Sequence, residues 1–179
     1  MFGYRSLRGI PGLNKTFAIV GPKVDIAYDE GAIDAFMATA IEKNPSLARD
    51  YQVRWIGLDD TTTMQIIDFI KSGQKKATFT LPWINKRKSW SDAHSGMPIV
   101  LLSTNGDPML VVQITKVLKT RFGSIDSSIS GLDGPPVRDL DVWIKLHTTY
   151  WNEVLQEYRL VCCDDMPVHV EKFKLAYPP

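Results

Sequence analysis

Lys75 is a candidate for anion binding or catalysis, because it lies at a predicted corner between a helix and a strand. It follows Gly73, a residue type that often ends a helix, and precedes Ala77-Thr78-Phe79-Thr80, which is typical of a strand. At such a stiff corner a lysine could bind an anion, stabilise a developing negative charge, or act as a base if desolvation lowers its pKa. Strand alternation places Phe79 on the face of Lys75, so a phosphate and a base could be held together. The ordinary alternative is a surface lysine with its charge in water.

Two other residues could take part in the same chemistry. Asp133 precedes Gly134 in a loop rich in glycine and proline. If its carboxylate approaches Lys75, it could position a water molecule or act as a general base, although Asp-Gly is also an ordinary turn pair. His147 lies four residues after Trp143 in a helical pattern, and a hydrogen-bonded structural histidine is the simpler interpretation.

Positive charge is concentrated in residues 71–90, here called the basic segment. The chain has 21 Lys and Arg residues against 20 Asp and Glu, a net charge of +1, and its remainder has 15 against 20. Aromatic residues interleaved with cations fit single-stranded nucleic acid, whose phosphates meet the cations and whose bases stack on the rings. A solvated, lysine-rich turn is the alternative. The six cations, with no acid among them, are Lys71, Lys75, Lys76, Lys86, Arg87 and Lys88.

The elements that must position these residues follow from hydrophobic periodicity. The pattern predicts an α+β fold, a small mixed β-barrel with helices packed outside, formed by a single domain over residues 29–179 after a loosely ordered arm over residues 1–28. Residues 82–96 are predicted to be a long loop that closes over the site, with Trp83 and Trp90 stacking on bases. Helices are predicted over residues 30–44, 60–72 and 140–154, strands over 77–81, 98–103, 110–118, 158–162 and 169–175, and a second loop over 123–136.

Several classes of protein are disfavoured by the sequence. No apolar run is long enough to cross a bilayer, and the N-terminus lacks the apolar stretch of a signal peptide. The adjacent Cys162 and Cys163 suit thiols in a reducing compartment, which predicts a cytoplasmic protein. No cofactor is predicted, because glycine-rich phosphate loops and zinc spacings are missing; a divalent metal is compatible with the sequence, but no dedicated metal site is visible.

Five motifs in order make the chain resemble the ASCH domains of the PUA-like superfamily. The helix near Phe36 and the following Asn44-Pro45 are also similar to a bacterial subgroup with an N-terminal helical extension. In chain order the motifs are Ser72-Gly73-Gln74-Lys75-Lys76-Ala77-Thr78, which resembles S-G-x-K-x-A-T; Val111 to Val117, which resembles a central strand; Leu132-Asp133-Gly134, where the family has Glu-Gly; Trp143, His147 and Tyr150-Trp151, which resemble W-x-x-x-H-x-x-[FY]-[FW]; and Val170 to Leu175, which resembles the closing strand.

The resemblance implies a function directed at RNA. ASCH domains are described as single-strand ribonucleases, as amidohydrolases that remove an acetyl group from N4-acetylcytidine, or as RNA-binding modules. We expect a ribonuclease acting on single-stranded RNA, or an amidohydrolase acting on an N4-acylated cytidine. Lys75 would polarise the target, Thr78 would orient it and Asp133 would handle the proton. The expected RNA-binding residues are Lys76, Phe79, Trp83, Lys86, Arg87, Lys88, Trp90 and His147.

Asp133 is the departure from the family pattern, and it leaves a non-catalytic RNA-binding domain as the alternative. The aspartate is one methylene shorter than glutamate, about 1.5 Å, and a misplacement of about 1 Å can cost roughly a hundredfold in rate. The glycines of its loop could let the chain move inward and compensate. A third hypothesis is a PUA-like barrel that binds a small molecule or a protein, with an incidental basic segment.

Overall fold

The computed structural model describes residues 10–17, 27–57 and 59–178. Six strands and five helices follow one another along these residues, with 3₁₀ turns at Phe122–Ser124 and Gln156–Tyr158. The strands are Asn14–Phe17 (β1), Asp50–Trp55 (β2), Ala77–Thr80 (β3), Pro98–Leu102 (β4), Pro108–Arg121 (β5) and Pro167–Tyr177 (β6). The helices are Glu30–Lys43 (α1), Asp60–Lys71 (α2), Pro82–Arg87 (α3), Ser127–Ser130 (α4) and Leu140–Leu155 (α5).

The strands form one mixed sheet in the order β1-β2-β4-β5-β6-β3. The pairs β1–β2 and β2–β4 are parallel, whereas β4–β5, β5–β6 and β6–β3 are antiparallel. Within the described residues no backbone pairing joins β1 to β3, so the two edges of the sheet remain separate. The α+β class is therefore confirmed, but the closed barrel predicted from the sequence is not.

Side chains nevertheless bring distant strands together. Arg54 on β2 donates from Nη1 to Oε2 of Glu171 on β6, at 2.5 Å. Three strand spacings separate β2 from β6 in the sheet, roughly 14 Å along a flat surface. Side chains stand roughly perpendicular to the surface of a flat sheet, so this contact indicates that the sheet curves, with the Arg54–Glu171 bridge on its concave side. This curvature creates the space in which the site lies.

Helix α2 ends where the sequence predicts. Asp59 caps its start by accepting from the Thr62 backbone N–H at 2.7 Å, and the Thr62 side chain completes a capping box. Ile67 and Ile70 bury its inner face. Gly73 then adopts a φ of 69°, a conformation that suits glycine, and the chain turns at once toward β3.

The core beneath the site is aromatic. Trp143 and Trp151 of α5 are almost fully buried, and they pack edge to face at 5.7 Å between ring centroids. Phe79 of β3 and Phe122 pack against the same rings. Helix α5 therefore covers the β3–β6 end of the sheet. Within the described ranges, no helix is long and apolar enough to cross a membrane.

Several predicted elements were wrong. Residues 158–162 form no strand: Arg159 adopts a φ of 56°, and the Cys162 N–H binds the Asn152 side chain of α5 instead of a neighbouring strand. Residues 82–87 form α3 instead of part of a loop, and the predicted loop at 123–136 contains α4. Strand β2 was not predicted from the sequence. Residues 14–17 were predicted to belong to the arm, whereas they form β1; of the other arm residues, 1–9 and 18–26 lie outside the described residues.

Candidate functional site

A cavity of about 370 Å³ opens on the concave side of the sheet. Its volume falls at the lower end of the range for small-molecule sites, about 300–1,000 Å³. Strands β2 and β3, helices α2 and α5, and residues 133–137 contribute its walls. Most of the lining is aromatic or aliphatic, including Trp55, Phe69, Phe79, Leu146 and Trp151. The polar lining includes Arg54, Lys75, Thr78, Thr80, Asp133 and His147.

Lys75 and Asp133 form a buried ion pair in this cavity. Lys75 Nζ donates to Asp133 Oδ1, and each residue is only 7% exposed. The Lys75 backbone N–H donates to the Phe69 carbonyl at 2.9 Å, which fixes the corner between α2 and β3. From the sequence, a joint role required that Asp133 approach Lys75, and in the structure the two side chains are in contact.

The Asp133 loop lies close enough for the shorter carboxylate to reach the lysine. The N–H groups of Lys76 and Ala77 both donate to the Leu132 carbonyl, at 2.8 and 3.2 Å, and so join this loop to the start of β3. Gly134 lies directly on Phe69: a Cβ at position 134 would be 2.7 Å from Phe69 Cδ2. The glycine therefore permits the inward position of the loop.

Three groups orient the Asp133 carboxylate. Oδ1 accepts from Lys75 and from the Gly134 N–H at 2.9 Å, and Oδ2 accepts from Trp143 Nε1 at 3.2 Å. Each carboxylate oxygen can accept two hydrogen bonds. Within the described residues, Oδ2 keeps one lone pair for a ligand or a water molecule.

His147 is held as a neutral ring beside this pair. Its ring stacks on Trp143 at 3.8 Å between centroids, and Nδ1 lies 2.9 Å from the Trp143 carbonyl oxygen. Because a carbonyl only accepts, Nδ1 carries the proton and Nε2 is left as an acceptor. Burial lowers the pKa of His147 to about 4, against smaller opposing effects of Asp133 and the Trp143 carbonyl. His147 is therefore neutral at physiological pH.

Strand β3 lines the cavity with residues from both of its faces. Phe79 is buried against Trp143, with centroids 4.8 Å apart, while Thr78 and Thr80 also contribute to the lining. Strand alternation predicted Phe79 on one face and the two threonines on the other. Because β3 is an edge strand, only one of its sides is covered by a neighbouring strand.

A second charged pair, Arg54 and Glu171, was missed by sequence reasoning. Arg54 is 4% exposed and Glu171 is fully buried, yet Arg54 lines the cavity. Glu171 Oε1 accepts from Thr80 Oγ1 at 2.9 Å, which connects the pair to β3. The sequence singled out neither residue, because β2 also carries Asp50 and Gln52, and β6 also carries Lys172 and Lys174. The 117 residues between them gave no indication that they meet.

The basic segment beyond β3 lies away from the cavity. Among the residues expected to bind RNA, Phe79 and His147 line it, whereas Lys76, Trp83, Lys86, Arg87, Lys88 and Trp90 do not. Trp83 and Trp90 pack against the aromatic core. The Arg87 guanidinium lies 5.4 Å from the Tyr158 ring centroid, and Lys88 Nζ lies 5.0 Å from that of Trp90. Trp83 and Trp90 are thus half-buried, on a helix and directly after the turn that follows it, not part of one long loop, and their stacking on bases stays a prediction.

No group of three or more His, Cys, Asp or Glu side chains suited to a metal ion occurs in the part of the chain that the structure describes.

A model of the ASCH domain family matches residues 54–177, which span β2 to the end of β6. The protein belongs to the ASCH domain family. The match covers the cavity-lining elements and confirms the resemblance found in the sequence motifs. No curated protein matches this ASCH chain significantly.

Two solved structures are similar to this ASCH protein. An ASCH domain from Lactobacillus crispatus JV V101 superposes with a TM-score of 0.74 at 19% identity, covering 85% of this chain and 98% of that one. A protein from Enterococcus faecalis V583, of the DUF984 family model, gives a TM-score of 0.70 at 20% identity, covering 80% and 87%. At these identities the likeness concerns the fold alone.

Proposed function

We propose that this ASCH protein is an amidohydrolase that removes an acyl group from a nucleoside, of which an N4-acylated cytidine is the type. The observation that carries the proposal is a small, largely apolar cavity whose charges are balanced in pairs. Lys75 is paired with Asp133, and Arg54 is paired with Glu171. His147 adds no charge at physiological pH, because burial lowers its pKa to about 4.

Charge balance favours a neutral substrate over a phosphodiester. Anion sites in proteins generally present cations or unpaired N–H groups that are free to meet the negative charge. Here both cations that line the described cavity already have a carboxylate partner. A phosphodiester entering this cavity would meet Asp133 and would have to compete with it for Lys75. A neutral amide carries no such penalty, so the amidohydrolase is better supported than the ribonuclease.

The residues can share the work of amide hydrolysis. Oδ2 of Asp133 has a lone pair that can accept a proton from water, whose oxygen then adds to the acyl carbon. The Lys75 ammonium donates to the carbonyl oxygen as negative charge develops there, and the Thr78 hydroxyl orients the amide. The C–N bond then breaks, the proton held by Asp133 passes to the departing amine, and the acyl group leaves as the carboxylic acid. Cytidine and, for an acetyl group, acetic acid are the products.

The first experiment measures the release of acetate from N4-acetylcytidine by the wild type, by Lys75→Ala and by Lys76→Ala. The neighbouring Lys76 is the matched control, because it is exposed and does not line the cavity. We expect Lys75→Ala to lose about a hundred- to a thousandfold in kcat, as on removal of an oxyanion donor. Lys76→Ala should stay within about twofold of the wild type. Circular dichroism verifies that each variant is folded, and Lys75→Arg, which keeps a cation next to Asp133, serves as a second variant.

Three outcomes would overturn the proposal. The first is a wild type that releases no acetate at millimolar substrate. The second is equal activity in Lys75→Ala and Lys76→Ala. The third comes from a single-stranded RNA oligonucleotide tested in parallel: cleavage that is lost in Lys75→Ala, without acetate release, would assign a ribonuclease to the same residues.

One observation favours RNA binding as a second candidate function. Lys86, Arg87 and Lys88 are exposed at the end of α3, and within the described residues none has an acidic partner within salt-bridge distance. Such a cluster can meet phosphates on the surface without involving the cavity. Binding of this kind would weaken steeply as salt is raised, and it would be unaffected by Lys75→Ala.

A further inference from the structure

Arg54 has hydrogen-bond donors to spare at the cavity. A guanidinium carries five N–H groups. Nε and Nη2 donate to Gln52 Oε1, at 2.9 and 2.5 Å, and Nη1 donates to Glu171 Oε2 at 2.5 Å. Within the described residues, two of the five N–H groups therefore have no acceptor. Leaving such donors unpaired in a buried position costs free energy. Because Arg54 lines the cavity, the cavity is the side from which an acceptor can come.

The surroundings of Arg54 make it rigid. Gln52, which receives two of its N–H groups, is anchored by its own Nε2 donating to the Ser91 carbonyl at 2.8 Å. Glu171 is anchored on its other oxygen by Thr80. Four side chains therefore hold one another at this end of the cavity, which makes the unused N–H groups preorganised donors.

Glu171 also determines which acceptor suits Arg54. Its carboxylate is fully buried and lies directly against the guanidinium, so the positive charge is already compensated. An anion placed there would also be repelled by Glu171. A neutral acceptor, such as a carbonyl oxygen or a ring nitrogen, can take the remaining donors without that repulsion.

The Arg54 group and the Lys75–Asp133 pair both line the same cavity. Strand β3 connects them, because it begins shortly after Lys75 and carries Thr80, which contacts Glu171. Both groups contribute to one cavity of about 370 Å³. A single ligand can therefore have its reacting amide at the Lys75 end and an acceptor atom at the Arg54 end.

We propose that Arg54, positioned by Glu171, Gln52 and Thr80, selects a pyrimidine of the cytosine type by donating to its ring carbonyl oxygen. This specificity rests on the proposed hydrolysis of an acylated nucleoside. In cytosine the ring carbonyl oxygen and the ring nitrogen acceptor beside it lie on the same edge as the amine, with the ring nitrogen between the two groups. Adenine also bears an exocyclic amine that can be acylated, but beside its ring nitrogen it carries a C–H group instead of a carbonyl oxygen, so it offers one acceptor where cytosine offers two to the two unused N–H groups. The Arg54 donors therefore discriminate between the two bases.

Binding of the bare nucleosides tests this specificity without requiring turnover. Calorimetric titrations with cytidine and with adenosine compare the wild type with the double variant Arg54→Met/Glu171→Gln. The double variant removes both charges, because removing only Arg54 would leave Glu171 buried and unpaired. Arg54→Lys keeps the cation but loses the guanidinium fork, and it carries the test if the double variant does not fold.

We expect the wild type to bind cytidine at least about tenfold more tightly than adenosine, and both variants to reduce this preference to less than about threefold. A general loss of structure would weaken binding of both nucleosides together and would leave the preference unchanged. The inference is overturned if the wild type shows no preference, including no binding of either nucleoside, or if the folded variants keep the preference. Hydrolysis of N4-acetylcytidine without nucleoside discrimination would overturn this inference alone, whereas discrimination without hydrolysis would overturn the proposed function alone.

Discussion

In the cavity, Lys75 and Arg54 are buried and each is paired with a carboxylate, whereas Lys86, Arg87 and Lys88 in the basic segment are exposed at the end of α3. The two regions use the same residue types in opposite ways. Pairing and burial fix the cavity cations in one geometry and cancel their charge. Exposure leaves the α3 cations hydrated, with their charge available to a polyanion. The density of charge along the sequence therefore does not locate the cavity, whose two cations are paired with carboxylates.

The largest difference between a buried, paired lysine and an exposed one is expected when each is replaced by methionine. Lys75→Met leaves the Asp133 carboxylate buried without its cation, and such a change costs about 3–5 kcal/mol. We expect the lower end of that range, because Gly134 and Trp143 still donate to the carboxylate. The adjacent Lys76→Met, in an exposed position, should change the free energy of unfolding by less than about 0.5 kcal/mol. Urea denaturation measures both, and similar values for the two variants would contradict the buried pair.

A smaller effect is expected from moving the Asp133 loop outward. A Cβ at position 134 would be 2.7 Å from Phe69 Cδ2, so Gly134→Ala overpacks this contact. Overpacking costs about 1–3 kcal/mol, and the displaced Asp133 should also lower acetate release. The double variant Gly134→Ala/Phe69→Leu restores space and should recover part of both losses. If Gly134→Ala alone matches the wild type in stability and activity, the loop is not held by this contact.

The pH dependence of stability tests whether His147 is buried as a neutral ring. Its pKa is lowered to about 4 from an ordinary value of 6.5. Between these two values the unfolded chain binds the proton and the folded chain does not, so stability falls as the pH falls from 6.5 to 4. His147→Phe should remove this part of the decline in Tm, which thermal unfolding at pH 7.5, 5.5 and 4.5 measures. His94→Phe is the exposed control, and an equal change in both variants would contradict the assignment.

The smallest effect on hydrolysis is expected from the α3 cations, because they lie outside the cavity. Neutralising the end of α3 in the triple variant Lys86→Gln/Arg87→Gln/Lys88→Gln should leave hydrolysis of N4-acetylcytidine within about twofold, because none of these residues lines the cavity. Affinity for single-stranded RNA at low salt should fall in the same variant if the cluster binds phosphates. A loss of hydrolysis greater than about tenfold would show that the two regions act as one site.

The sequence predicted those features of the site that depend on neighbouring residues. The corner at Lys75 follows from a helix that ends at Gly73 and a strand that starts at Ala77, and the structure contains both features. The approach of Asp133 could be stated only as a condition, because 58 residues separate it from Lys75. To predict the Arg54–Glu171 pair would have required the curvature of the sheet, and the hydrophobic pattern of the strands does not indicate that curvature. Helix α3 did have a signal, since proline favours the first position of a helix, as Pro82 does here.

The bridge between β2 and β6 has a consequence for the evolution of this pocket. Where a barrel is closed by backbone hydrogen bonds, its diameter is determined by the number and tilt of its strands, and a change in width requires a new architecture. Here the opposing walls are spaced by two side chains, Arg54 and Glu171. The width of the cavity between β2 and β6 therefore depends on the side chains at these two positions. Replacement of Glu171 by Asp would draw the walls together by about the length of one methylene, about 1.5 Å. Ligand size can therefore change by point substitution while the strand order is conserved.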